Sequence, residues 1–194
     1  MKGFRRGRLV GGGCRWLAVA IAGLVLGPLS ASAQGVGIPA IDRLPRYDWD
    51  LEQYELTDVV SADIKQAYRR GIEDLKEGNC RDAASKFEFI LDFIDDDPAI
   101  YYVAATAARC ARAFRAAAGY YESTIEFDPD HWDAHRFLGV TRLALGDLDE
   151  AGDVLATLDL ERLECAEACP PELEAAYAEL RGALEVARAR GAED

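Results

Sequence analysis

The sequence repeats at an interval of 34 residues. Gly71, Ala105 and Gly139 are separated by that interval, as are Gly78, Arg112 and Gly146. Ala83, Ala117 and Ala151 form a third column, and Phe87, Tyr121 and Leu155 a fourth. Four columns at one spacing define three units, 64–97, 98–131 and 132–165. A unit this short cannot bury its apolar face alone. It must stack on its neighbours, so the period predicts a solenoid built from one repeated supersecondary element.

Each unit divides in the same way. A helical stretch comes first, such as Pro98–Ala111 or Trp132–Leu145. A tight turn follows, at Gly78-Asn79 or Gly146-Asp147. The second helix carries a small residue and then a large one four positions on, which places both on one face. Glycine inside a helix costs about 1 kcal/mol against alanine. Gly71 and Gly139 therefore point to helices packed too closely for a side chain. The units end in acidic turns, Asp95-Asp96-Asp97-Pro98 and Phe127-Asp128-Pro129-Asp130. Proline cannot continue a helix but presets the start of the next.

A last helix is expected over about 171–190, opened by Pro170-Pro171 with acids in its first turn. Leu173, Ala176, Tyr177, Leu180, Ala183, Leu184 and Ala187 form one apolar stripe at spacings of three and four. Arg181, Glu185 and Arg188 face outward. Such a helix covers the open end of the stack. The predicted fold class is all-α: three helix-turn-helix repeats plus a C-terminal capping helix, within a domain spanning 61–194.

These columns resemble the tetratricopeptide repeat. Its small residue in the first helix matches Gly71, Ala105 and Gly139. Its alanine and aromatic in the second match Ala83/Phe87 and Ala117/Tyr121, and its terminal proline matches Pro129. The segment 146–160, GDLDEAGDVLATLDL, is a close match. Asp95 and Leu163 stand where further terminal prolines are expected, and Asp74, Ala108 and Arg142 occupy the usual tyrosine column. The resemblance implies a concave groove lined by the first helices. Carried over, its positions are Lys65, Tyr68, Ile72 and Leu75, then Tyr102, Thr106 and Arg109, then Asp133, Arg136 and Val140. Arginine in such a groove grips carboxylates through paired hydrogen bonds. The family's chaperone-tail clamp expects lysine and asparagine where Tyr68 and Ile72 stand, so that activity is not implied.

Residues 1–33 read as a secretory signal peptide: a head with Lys2, Arg5, Arg6, Arg8 and Arg15, an apolar run Trp16–Leu26, and Ala31-Ser32-Ala33 at the end. The run is short for a membrane span. The expected location is the periplasm. Removing this segment removes five bases and no acid, which takes the net charge from −13 to −18. That balance argues against nucleic acid and anionic lipid as partners. Residues 34–60 read as an acidic arm with Tyr47, Trp49 and Tyr54.

Cys80, Cys110, Cys165 and Cys169 remain after cleavage. An even count in an oxidising compartment reads first as two disulfides. The family's stacking brings Cys80, at the start of one second helix, near Cys110, at the end of the next first helix. Cys165 and Cys169 need a bent turn to join, which Pro170-Pro171 favour. Metal or redox chemistry through these cysteines, with His131 and His135 assisting, is the alternative, and free thiols are a third reading. His131 and His135 read more simply as turn and helix-start residues, and Asp95–Asp97 as a solvated turn. With no nucleophile motif, phosphate loop or metal signature, no catalytic residue, cofactor or metal is assigned. The expected function is non-catalytic binding of a protein or peptide in the groove, as an adaptor or scaffold. Self-association through the repeat ends or the arm is a further expectation.

Overall fold

A computed structural model describes residues 58–165 and 168–192, all within the second of the two units into which the chain divides, Gln34–Asp194. The expected signal peptide 1–33 and most of the arm lie outside the described residues. Seven helices are described: α1 Asp58–Glu77, α2 Cys80–Leu91, α3 Pro98–Cys110, α4 Phe114–Phe127, α5 Trp132–Leu145, α6 Leu148–Cys165 and α7 Pro171–Gly191. No described residue is in a strand. No described helix is long and apolar enough to cross a membrane.

Consecutive helices pack against each other along the chain from α1 to α7, and α7 also packs on α5. The period explains why. Gly71 on α1 is buried against the Phe87 ring of α2, where a Cβ would come within 2.7 Å of Cζ. Ala83, Ala117 and Ala151 are all buried, as are Phe87 and Tyr121. Leu155 is only half-buried. In the third unit the space over Gly139 is filled by Leu180 of α7 rather than by the unit's own second helix. The capping helix has no place in the repeat, so the period gave no sign of that partner.

The turns follow from local chemistry. Gly78 and Gly146 take positive φ of 80° and 87°, and Arg112 takes 62° in the same column. All three units thus use one left-handed residue to reverse from first helix to second. Asp97 caps α3 by accepting from the Ala99 N–H at 2.9 Å, with Pro98 at the first helical position. His131 caps α5, its Nδ1 accepting from the Ala134 N–H at 3.2 Å. α1 begins at Asp58 and so takes in the last three residues of the expected arm.

One core cluster runs from Ile64 on α1 to Leu138 on α5. A second gathers Leu158, Leu173, Ala176 and Leu180, with Trp132, Val140 and Leu155 packed on it. Two of the departures from the tyrosine column become ion pairs. Asp74 pairs with Lys86 across α1 and α2. Arg142 pairs with Glu122 of α4 and with Glu150 of α6.

Candidate functional site: the concave face of the helix stack

The first helices place their side chains by spacing. Tyr102, Thr106 and Arg109 are four and three apart on α3, so they share a face. Asp133, Arg136 and Val140 do the same on α5, and Lys65, Tyr68 and Ile72 on α1. Leu75 continues the α1 row but is buried in the main core. Val140 packs on the second core. Lys65 stands exposed on α1, and Tyr68 is packed edge-on against Phe87, ring centroids 5.9 Å apart.

The α3 and α5 residues come together around one ring. The Arg109 guanidinium lies 4.4 Å from the centroid of Phe137, and that of Arg136 lies 3.9 Å from it. Cation–π contacts of this kind are each worth about 0.5–2 kcal/mol, more when shielded from water. Arg109 Nε also donates to the Tyr121 hydroxyl at 3.3 Å. Tyr121 lies nearly parallel to Phe137 at 6.0 Å. Tyr102 packs on Tyr121 at 6.0 Å and on the His131 ring at 4.4 Å. Arg136 donates to Asp133, 2.6 Å away, and reaches Glu179 on α7. It therefore ties the inner face to the capping helix.

The electrostatics follow from this packing. Burial pushes the Tyr68 hydroxyl up to about 12, with Asp97 adding to the effect. Burial also raises Tyr102, and Asp133 raises it further. Tyr121 is raised by burial, against the pull of Arg109 and its hydrogen bonds. Arg136 is half-buried, yet Asp133 and Glu179 outweigh that cost and raise it. Burial lowers His131 below the ordinary histidine value, although Asp128 and Asp133 oppose the shift. All three tyrosines stay neutral at physiological pH and present hydroxyls, not phenolates.

Of the positions carried over by resemblance, Tyr102, Arg109, Asp133 and Arg136 are thus brought into one cluster. Tyr102, Thr106 and Arg109 are buried, at 4, 1 and 3% exposure, rather than open on a wet groove. Phe137, Tyr121 and His131 complete the cluster. Phe137 was not legible as a member because a helix-face argument follows only the concave row. His131 is the turn residue that its position predicts, and its ring also seats Tyr102.

The cysteines form two disulfides, Cys80–Cys110 and Cys165–Cys169, with Cα atoms 5.4 and 5.0 Å apart. The first joins the start of α2 to the end of α3, as the family's stacking implied. The second closes the bend between α6 and α7. His135 Nε2 lies 2.9 Å from the Pro129 carbonyl oxygen. Both imidazoles are thus engaged with backbone. Among the described residues no group of three His, Cys, Asp or Glu side chains is placed to hold a metal ion.

Residues 108–168 match the family model of the tetratricopeptide repeat. The segment 108–168 thus carries tetratricopeptide repeats. Solved structures share the architecture of this tetratricopeptide stack. A type III secretion complex from Aeromonas hydrophila is 16% identical with a TM-score of 0.58, covering 74% of this chain and 91% of its own. PcrH, solved from Pseudomonas aeruginosa, in complex with the chaperone-binding region of PopD, is 20% identical with a TM-score of 0.56, covering 71% and 97%. The Yersinia enterocolitica secretion chaperone SycD with a YopD peptide is 17% identical with a TM-score of 0.55, covering 70% and 99%. At these identities the likeness concerns the fold. Comparison with curated proteins yields no match.

Proposed function

We propose that this chain is a non-catalytic interaction module that seats an extended, acidic or aromatic segment of a partner protein along its concave face. The observation that carries the reading is the seating of Arg109 and Arg136 on one Phe137 ring beside Tyr102. Packing fixes both guanidinium groups before any ligand arrives, which reduces the ordering cost of binding. Two of the structural neighbours are complexes with a partner's binding region or peptide, which is the same mode of use. The basic head, apolar run and Ala31-Ser32-Ala33 support export to the periplasm, where the disulfides would persist. Affinity capture from the envelope fraction tests the reading, with Arg136→Gln as the specificity control. A partner held by the unaltered chain and lost from a folded Arg136→Gln variant supports it. A partner held equally by both contradicts it.

Self-association is a second reading. Leu160, Leu163 and Val186 stand exposed on the last two helices, and apolar side chains left open near a solenoid end favour association of copies. Light scattering at rising concentration checks it, and a strict monomer counts against it.

A further inference from the structure

Three aromatic rings meet outside the concave row. Tyr101, at the start of α3, lies 5.8 Å from Phe127 and nearly parallel to it, and 6.3 Å from Tyr120. Tyr120 and Phe127 come from α4, a second helix of the repeat. Packing holds the rings in place. The Tyr101 hydroxyl donates to the Asp95 carbonyl oxygen at 3.0 Å, and the Glu88 carboxylate of α2 engages the Tyr120 hydroxyl. The plate stays open to water all the same: Phe127 is 45% exposed, and both tyrosines are only half-buried. A ring left that open contributes little to the core.

The rim of the plate carries one sign of charge. Asp95, Asp96 and Glu126 act on the Tyr101 hydroxyl, and Glu88 and Asp92 act on that of Tyr120. Among the described residues none of these five carboxylates is in an ion pair, whereas Asp74, Glu122, Glu150 and Glu179 are. The negative face of an aromatic ring adds to the same potential. Lysine and arginine side chains meet both demands. Their cationic heads lie on ring faces and donate charge-assisted hydrogen bonds to carboxylates, while their stems cover apolar surface. A purely apolar occupant would bury the carboxylates without a counter-charge. A second copy of this chain, with a net charge of −13, would be repelled.

We propose that the Tyr101, Tyr120 and Phe127 plate docks a basic segment of a partner protein, one that carries lysine or arginine among apolar residues. This is a second interaction surface. It selects the opposite charge to the concave face and does not depend on the use of that face. The rings are ordered before binding, which lowers its entropic cost. The carboxylates steer encounter, so binding weakens as salt rises.

The probe is a fluorescent peptide alternating arginine and leucine, titrated into the full chain at low salt. Phe127→Ser removes one exposed ring and no charge. It should weaken binding by about 10-fold. Asp96→Asn, Glu126→Gln removes two rim charges and should weaken binding by about 10-fold as well. Asp149→Asn, Asp153→Asn removes two charges from exposed positions of α6 and should weaken it by less than about 2-fold. Equal weakening by the two charge variants, with none from Phe127→Ser, means adsorption by net charge and overturns the proposal. So does a failure of the unaltered chain to bind the peptide. Far-UV circular dichroism checks each fold. If Phe127→Ser does not fold, the comparison of the two charge variants decides.

Discussion

Gly139 of α5 lies under Leu180 of α7 so closely that a Cβ at the glycine would meet both leucine methyls at 2.5 Å. The capping helix is docked through this contact and through Arg136–Glu179. Gly139→Ala gains about 1 kcal/mol of helix propensity but meets overpacking that costs about 1–3 kcal/mol. Alone it destabilises. With Leu180→Ala, which by itself costs about 2–5 kcal/mol, the clash is gone. Gly139→Ala then becomes stabilising by up to about 1 kcal/mol. Denaturant unfolding of the four forms measures that reversal of sign, and simple additivity would contradict the packing.

Arg112 holds a left-handed conformation in the turn where the other units use glycine. A side chain there costs roughly 1–2 kcal/mol. Arg112→Gly should therefore stabilise the chain, by up to about 1 kcal/mol after glycine's extra unfolded-state entropy. Gly146→Ala should cost about 1 kcal/mol. Thermal unfolding checks both, and a loss on Arg112→Gly would mean that the packing of Arg112 over the Phe114 ring outweighs the backbone.

Cys80 and Cys110 close a sequence separation of 30 residues. Cross-linking a loop of that length constrains the unfolded chain by about 3–4 kcal/mol. The Cys80→Ser, Cys110→Ser variant should lose that much, whereas the short Cys165–Cys169 loop should matter less. Thiol counting under denaturing conditions gives the companion result: no free thiol among these four cysteines.

His131 caps α5 through an unprotonated Nδ1, and burial lowers its pKa. Below about 6.5 the unfolded chain takes up the proton first. The cap's contribution is therefore complete above that pH and declines as pH falls through the folded value. The melting temperature should drop between pH 7.5 and 5.5, and by less in His131→Asn, whose side chain caps without titrating. Equal slopes in the two proteins would count against the role.

Much of this was legible in the sequence, for reasons particular to each residue. Gly71 and Phe87 sit at fixed columns and meet in space. Pro98 and Asp97 write the start of α3 in local chemistry alone. The Cys80–Cys110 pairing followed from the stacking that the resemblance implied. Other features were not legible. Leu180 belongs to a helix outside the period, so its fit over Gly139 had no column to reveal it. The burial of Tyr102 and Arg109 depends on Tyr121, His131 and Phe137, which come from outside α3, and a spacing argument along one helix does not contain them. Phe137 joins the cluster from the row beside the concave one, which a helix-face argument does not follow. The start of α1 at Asp58 lies upstream of every repeated column.

The most direct test of the concave face as the binding site is hydrogen–deuterium exchange of the chain, alone and with the partner captured from the envelope fraction. The account predicts altered protection in the first halves of α3 and α5, around Tyr102 and Arg136. Changes confined to the exposed aromatics Phe89, Phe93 and Phe127, with α3 and α5 unaffected, would contradict it.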